Sequence, residues 1–191
     1  MKKINKYYVP FVPNADINYF YLFSLYEIAE YQSATNSFSL IAYTSQRELA
    51  DNIGVSTATI GRIIKSKEYK SFLTIDTKTK TIILNNSFKG IKKQPYVILT
   101  AEEVTFLRSL NDNLLTKYLI YLKYYCGFTG NKTDFTAKQF LIACGYSANS
   151  NEMISKISRY NAILKENGFI DIKNYRDNRG FIRNMYIYTR I

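Results

Sequence analysis

The chain has 191 residues, 47% of them hydrophobic, and its 26 Lys and Arg against 15 Asp and Glu give a formal charge of +11. This apolar share excludes a disordered chain, and the length admits one domain or two small ones. The complete absence of His excludes histidine triads, histidine-containing zinc sites and metal-dependent nucleases or relaxases built on a histidine pair.

Lys2, Lys3 and Lys6 make a basic N-terminal tail, read either as a solubilising segment or as an arm that touches nucleic acid. Tyr7, Tyr8, Val9, Phe11 and Val12 are too apolar to stay free and are expected to pack on the first half of the chain or on a second subunit. Residues 16–34 read as a helix with Ile17, Phe20, Tyr21, Ser24, Ile28 and Tyr31 on one side, and 38–43 as a short strand.

The run Ser45-Gln46-Arg47-Glu48-Leu49-Ala50-Asp51-Asn52-Ile53-Gly54-Val55-Ser56-Thr57-Ala58-Thr59-Ile60-Gly61-Arg62-Ile63-Ile64 fits a helix-turn-helix. Ser45 with Glu48 forms a capping box, and Leu49, Ala50 and Ile53 give an inner face. Gly54 supplies the positive φ of a tight turn. Val55 plugs the turn, Ser56 caps the second helix, and Ile60, Ile63 and Ile64 line its inner side. That helix then turns Ser56, Thr57, Thr59, Arg62 and Lys65 outward, placing a guanidinium where it can bond a guanine edge. Residues 72–76 and 81–85 follow as strands, with Lys78 and Lys80 at the tip of the hairpin between them.

Pro95, beside Lys92 and Lys93, marks a linker. Beyond it come a capped helix from Thr100, a second from Asn113 to Cys126 whose apolar residues suit a central position, and a strand near Asp134 and Phe135. A shift of 91 residues then lays 136–147 on 45–56, matching cap, inner face, turn glycine and the following serine. Three extra residues, read as Ala148-Asn149-Ser150, lengthen the turn before a helix that exposes Asn151, Lys156, Ser158, Arg159 and Lys165 and stops at Gly168. A second hairpin over 169–174 and 181–189 carries Arg176 and Arg179 at its tip.

Charge follows the same repeat. Residues 54–95 hold nine basic against two acidic side chains and residues 153–191 eight against three, while the segments before each are near neutral. Cys126 and Cys144 are too few for a four-thiolate zinc site or a disulfide framework and sit among apolar neighbours, as buried thiols do. No phosphate-binding glycine loop occurs. The 18 tyrosines invite base stacking, but their periodicity favours core packing, with Tyr175 at the second hairpin the best exception.

These segments resemble the helix-turn-helix of bacterial DNA-binding proteins, and the order helix, strand, helix, helix, strand, strand is similar to the winged-helix fold. The expected class is α+β, mainly α, with two tandem winged-helix domains at 1–93 and 94–191. In architecture the chain resembles plasmid and phage replication initiators with two such domains, and DnaD-type replication proteins. The expectation from composition and motifs is a cytoplasmic, non-enzymatic binder of double-stranded DNA, without cofactor, metal or membrane partner, monomeric or homodimeric; the resemblance implies that it acts in replication initiation, alone or with replication or transcription proteins. The expected DNA-binding residues are Ser56, Thr57, Thr59, Arg62, Lys65, Lys78, Lys80, Asn151, Lys156, Arg159, Arg176 and Arg179. Two alternatives stand beside this: a transcriptional regulator of a mobile element, or one winged helix serving as a dimerisation or protein-interaction module.

Overall fold

The computed structural model describes residues 4–33, 37–70, 72–84 and 95–190. Its elements begin with β1 (Lys6–Pro10), α1 (Tyr19–Ile28), β2 (Glu30–Gln32), β3 (Ser37–Ala42), α2 (Gln46–Ile53), α3 (Thr57–Lys65) and α4 (Lys67–Lys70). They continue with β4 (Leu73–Asp76), β5 (Thr81–Leu84), β6 (Tyr96–Thr100), α5 (Ala101–Leu110) and α6 (Asn113–Phe128). The chain closes with β7 (Lys132–Asp134), α7 (Ala137–Ala143), α8 (Asn151–Glu166), β8 (Ile170–Arg176) and β9 (Ile182–Tyr188). The fold is α+β with small sheets. Two compact units share the chain, one of Met1–Pro10 with Asp16–Asn113, the other of Phe11–Ala15 with Leu114–Ile191.

In the first unit, α1 is shorter than its sequence suggests. Asn18 caps it by accepting the Phe20 N–H, and Ala29 leaves it with an extended ψ of 138°. The next three residues form β2, because Glu30 and its neighbours gain ladder hydrogen bonds to β3 that a longer helix would forgo. The buried face is also not the expected one: Ile17 is buried, but Phe20, Tyr21, Ser24, Ile28 and Tyr31 are only half-buried. Tyr19, Leu22, Phe23, Leu25 and Tyr26 are the buried residues of α1, since β1 covers it from one direction: Tyr7 meets Phe23 and Tyr26 edge-on at 5.8 and 5.5 Å, and the Tyr26 hydroxyl donates to Tyr8 O at 2.7 Å.

β1 pairs antiparallel with β6, from Lys6↔Thr100 to Pro10↔Tyr96. Arg108 of α5 donates to Ser24 Oγ at 3.1 Å and to Glu27 Oε2 at 2.9 Å. These bonds place residues 95–113 with the first unit, whereas the sequence-based halves divide at 93. The main sheet has the order β2-β3-β5-β4, with α1 packed on β3 and α4 on β4. Asn85, Lys89, Lys92 and Lys93 lie outside the described residues, as do Lys2 and Lys3.

The second unit has an aromatic centre. Tyr118 and Tyr121 of α6 meet Phe140 of α7 edge-on at 4.9 and 5.2 Å, and Phe135 stacks on Tyr186 of β9 at 4.9 Å. The buried Tyr118 hydroxyl is satisfied by Asn161 Oδ1 at 2.6 Å, as a buried polar group must be. Phe11 stacks on Tyr124 at 3.7 Å, and Lys117 donates to Ala15 O at 2.8 Å. The sheet has the order β7-β9-β8.

Candidate nucleic-acid interface

The helix pair α2–α3 forms as its residues dictate. Ser45 accepts the Glu48 N–H, and Leu49, Ala50 and Ile53 are buried. The box is not reciprocal, however. The Glu48 carboxylate reaches one residue further back, to the N–H and hydroxyl of Thr44, which hold it below the ordinary carboxylate range. Gly54 adopts φ +71°, and Val55 N donates to Ala50 O at 3.0 Å to close the turn.

Ser56 caps α3, and Ile60, Ile63 and Ile64 are buried beneath it. Its hydroxyl accepts the Thr59 N–H at 3.2 Å and lies 3.0 Å from Thr59 Oγ1. Thr59 is only 8% exposed. Of the five expected contact residues, Thr59 therefore serves its own helix start, while Ser56, Thr57, Arg62 and Lys65 are exposed. Arg62 and Lys65 line a groove of about 830 Å³ together with Asn18, Tyr21, Thr57 and Glu68.

The hairpin β4–β5 pairs from Leu73↔Leu84 to Asp76↔Thr81. Its turn is set by Asp76, whose carboxylate accepts the N–H groups of Lys78 at 2.8 Å and Thr79 at 3.2 Å and is held below its ordinary pKa by those bonds. Lys80 has φ +53°, and its ammonium donates to Thr44 O at 2.7 Å. Lys80 thus braces the hairpin against the entry to α2 while staying exposed, as Lys78 is.

In the second unit, Thr136 and Gln139 make the full reciprocal box at the start of α7. Gly145 has φ +78°, and Tyr146 N donates to Leu141 O at 2.8 Å. These repeat the Gly54 and Val55 bonds 91 residues on. The cap of the next helix, in contrast, is Ser150, which accepts the Met153 N–H. The added residues are therefore 147–149, and Ser147 is not the counterpart of Ser56. From Ser150 onward the offset is 94, so Lys156 and Arg159 stand six and nine residues past their cap, as Arg62 and Lys65 do past Ser56. Asn151 and Arg159 are exposed. Lys156 is half-buried, with its ammonium 5.7 Å from the centre of the Tyr160 ring.

The hairpin β8–β9 turns through Asn178-Arg179-Gly180, with Gly180 at φ +81°. One carboxylate oxygen of Asp177 accepts the N–H groups of Arg179 and Phe181, each at 2.9 Å, and the other accepts Arg183 Nε at 2.9 Å. Arg183, which the sequence reading passed over, depresses the Asp177 pKa and fixes the turn. Arg176 donates to Gly180 O at 3.1 Å and Arg179 is exposed. Tyr175 bonds the Asp134 carboxylate, so it is tied to β7 rather than standing clear for stacking. The residues that do stand clear are Phe181 and Ile182, 62% and 65% exposed. A hydrophobic pair directly after an Asn-Arg-Gly turn was the signal for them.

The remaining sequence-derived candidates add no chemistry. Cys126 and Cys144 are buried, and burial pushes each thiol up to about 11. Among the described residues, no three His, Cys, Asp or Glu are grouped to hold a metal, and no helix is long and apolar enough to cross a membrane. No protein-family model matches the chain, and comparisons with curated proteins and with solved structures find no match.

Proposed function

We propose that the chain binds double-stranded DNA through two winged-helix units in tandem. Helices α3 and α8 are the recognition helices, and β4–β5 and β8–β9 are the wings. The observation that carries this reading is the repeated placement of charge. Each recognition helix follows a left-handed glycine and a serine cap, and each sets a basic side chain six and nine residues beyond that cap. A packing motif needs the glycine, the cap and the isoleucines, but it does not need two cations at the same offsets in both copies. Helices docked by their N-terminal turns read base edges in the major groove, and flanking cations hold phosphates.

The closest functional role is initiation of replication on a plasmid or phage-like element. Two readers on one short chain suit an origin carrying repeated sites, because the second binding event is intramolecular. Selection from a random duplex pool tests both levels of the proposal. Recovery of repeated sites supports the role in replication, whereas a single operator-like site supports regulation instead. Arg62→Ala is expected to cost ~1–3 kcal/mol on the selected site and to relax preference at one base pair. Equal loss on every sequence makes Arg62 a phosphate contact. Retention of no duplex at low ionic strength overturns the proposal.

A further inference from the structure

The two hairpins differ in a way that their similar charge hides. In the first unit, β3 accompanies β5 to its end, with Ala42 opposite Thr81, so the β4–β5 turn begins where the sheet stops. In the second, β7 leaves β9 at Asp134↔Met185, while β8 and β9 continue pairing through Asn174↔Asn184, Tyr175↔Arg183 and Arg176↔Ile182. Three further pairs carry that hairpin about 10 Å past the neighbouring strand.

Composition changes at the same place. The first tip is Thr77-Lys78-Thr79-Lys80, with no apolar residue. The second ends in Phe181 and Ile182, both largely exposed, beside Arg176 and Arg179. Asp177 is the tip's acidic side chain, and Arg183 takes up its charge. The turn is also fixed from within by the two N–H bonds to Asp177, the Arg176 bond to Gly180 O and the bond between Asp177 N and Phe181 O at 2.9 Å.

From these features we infer that the β8–β9 tip is an apolar wedge for duplex DNA. Arg176 and Arg179 hold the phosphates on either side of a groove, and Phe181 with Ile182 enters between base pairs and opens the step. The inference rests on the DNA-binding reading above and deepens it. The guanidiniums select the polyanion over an apolar protein surface, where two cations would lose their hydration without a partner. Side chains of this kind, inserted at a base step, unstack it and kink the duplex.

The chain contains no Trp, so Phe181→Trp in the full-length protein supplies a single reporter at the tip. It is titrated with an AT-rich duplex labelled at both ends, which reports binding through anisotropy and bending through energy transfer. Binding accompanied by quenching of the indole emission and a bend of roughly 20–90° is the expected result. Phe181→Ala with Ile182→Ala then removes the bend. Both side chains are exposed, so the pair folds as the parent does, which circular dichroism checks. A duplex that binds but stays straight, with the indole emission unchanged, overturns the wedge and leaves DNA binding standing. If the unsubstituted chain binds no duplex at low ionic strength, the DNA-binding reading itself fails.

Discussion

The helix pairs α2–α3 and α7–α8 agree at one level and diverge at another. Both have a left-handed glycine, the same two turn-closing bonds and a serine cap on the second helix. They differ in what separates glycine from cap: one residue in the first pair, four in the second. They also differ in helix length, nine residues against sixteen, or about 14 Å against 24 Å. The conserved features start and stop helices, and a substitution there is paid for in backbone hydrogen bonds. The divergent features set how far a surface is carried out from the sheet. The hairpins repeat the lesson, one flush with its sheet and one extending past it.

The cores under the two pairs give the largest test of this contrast. In the first, Leu49, Ile53, Ile60, Ile63 and Ile64 are aliphatic; in the second, Phe140 sits among Tyr118 and Tyr121. Phe140 is fully buried, so Phe140→Ala is expected to destabilise by ~3–5 kcal/mol in denaturant unfolding, while Ile63→Val costs only ~0.5–1.5 kcal/mol. A Phe140→Ala loss no greater than that of Ile63→Val would mean that the aromatic centre is not what holds the second pair.

A smaller effect separates the two first-helix caps. Thr136→Ala removes the acceptor for the Gln139 N–H and also the hydroxyl partner of the Gln139 side chain. Ser45→Ala removes one acceptor, and Glu48 keeps its bonds to Thr44. Both losses fall within ~0.5–2 kcal/mol, with Thr136→Ala the larger. Equal costs would show that the bond from the Thr136 hydroxyl to Gln139 Oε1 adds nothing.

Local signals made much of this legible. Ser45, Gly54, Ser56, Thr100 and Thr136 mark helix ends by chemistry that acts within a few residues, and the described ends lie where those residues stand, while Gly168 stands one residue past the cap Asn167. Readings that depended on partners distant in sequence fared worse. Residues 30–32 have nothing local that stops a helix; pairing with β3 takes them out of it. Thr59 looked outward by spacing alone, but its hydroxyl turns back to Ser56. Lys80 and Tyr175 were read as free tips until Thr44 and Asp134 were brought beside them. The 91-residue shift matched Ser147 to Ser56 and counted Ser150 among the inserted residues, whereas Ser150 is the cap.

The smallest effect concerns the two hairpin turns, each organised by an aspartate, exposed Asp76 and half-buried Asp177, whose pKa lies below the ordinary 3.8. A depressed carboxylate pKa means that the turn gains from ionisation above the unfolded value and loses that gain as pH falls through the lower folded one. Both turns should therefore loosen only below about pH 4, seen as shifts of the Lys78 and Thr79 amides in one and of Arg179 and Phe181 in the other. The causes differ. Asp76 is held by backbone N–H groups, whereas the Arg183 guanidinium acts first on Asp177. Added salt screens the half-buried ion pair more than the backbone bonds, so the Asp177 midpoint should rise part of the way toward 3.8 while that of Asp76 stays nearly fixed. Asp177→Asn abolishes the response at Arg179 and leaves that at Lys78. Matching salt responses in both turns would show that Arg183 does not set the second, and the rigid presentation of Phe181 would then have to come from the backbone alone.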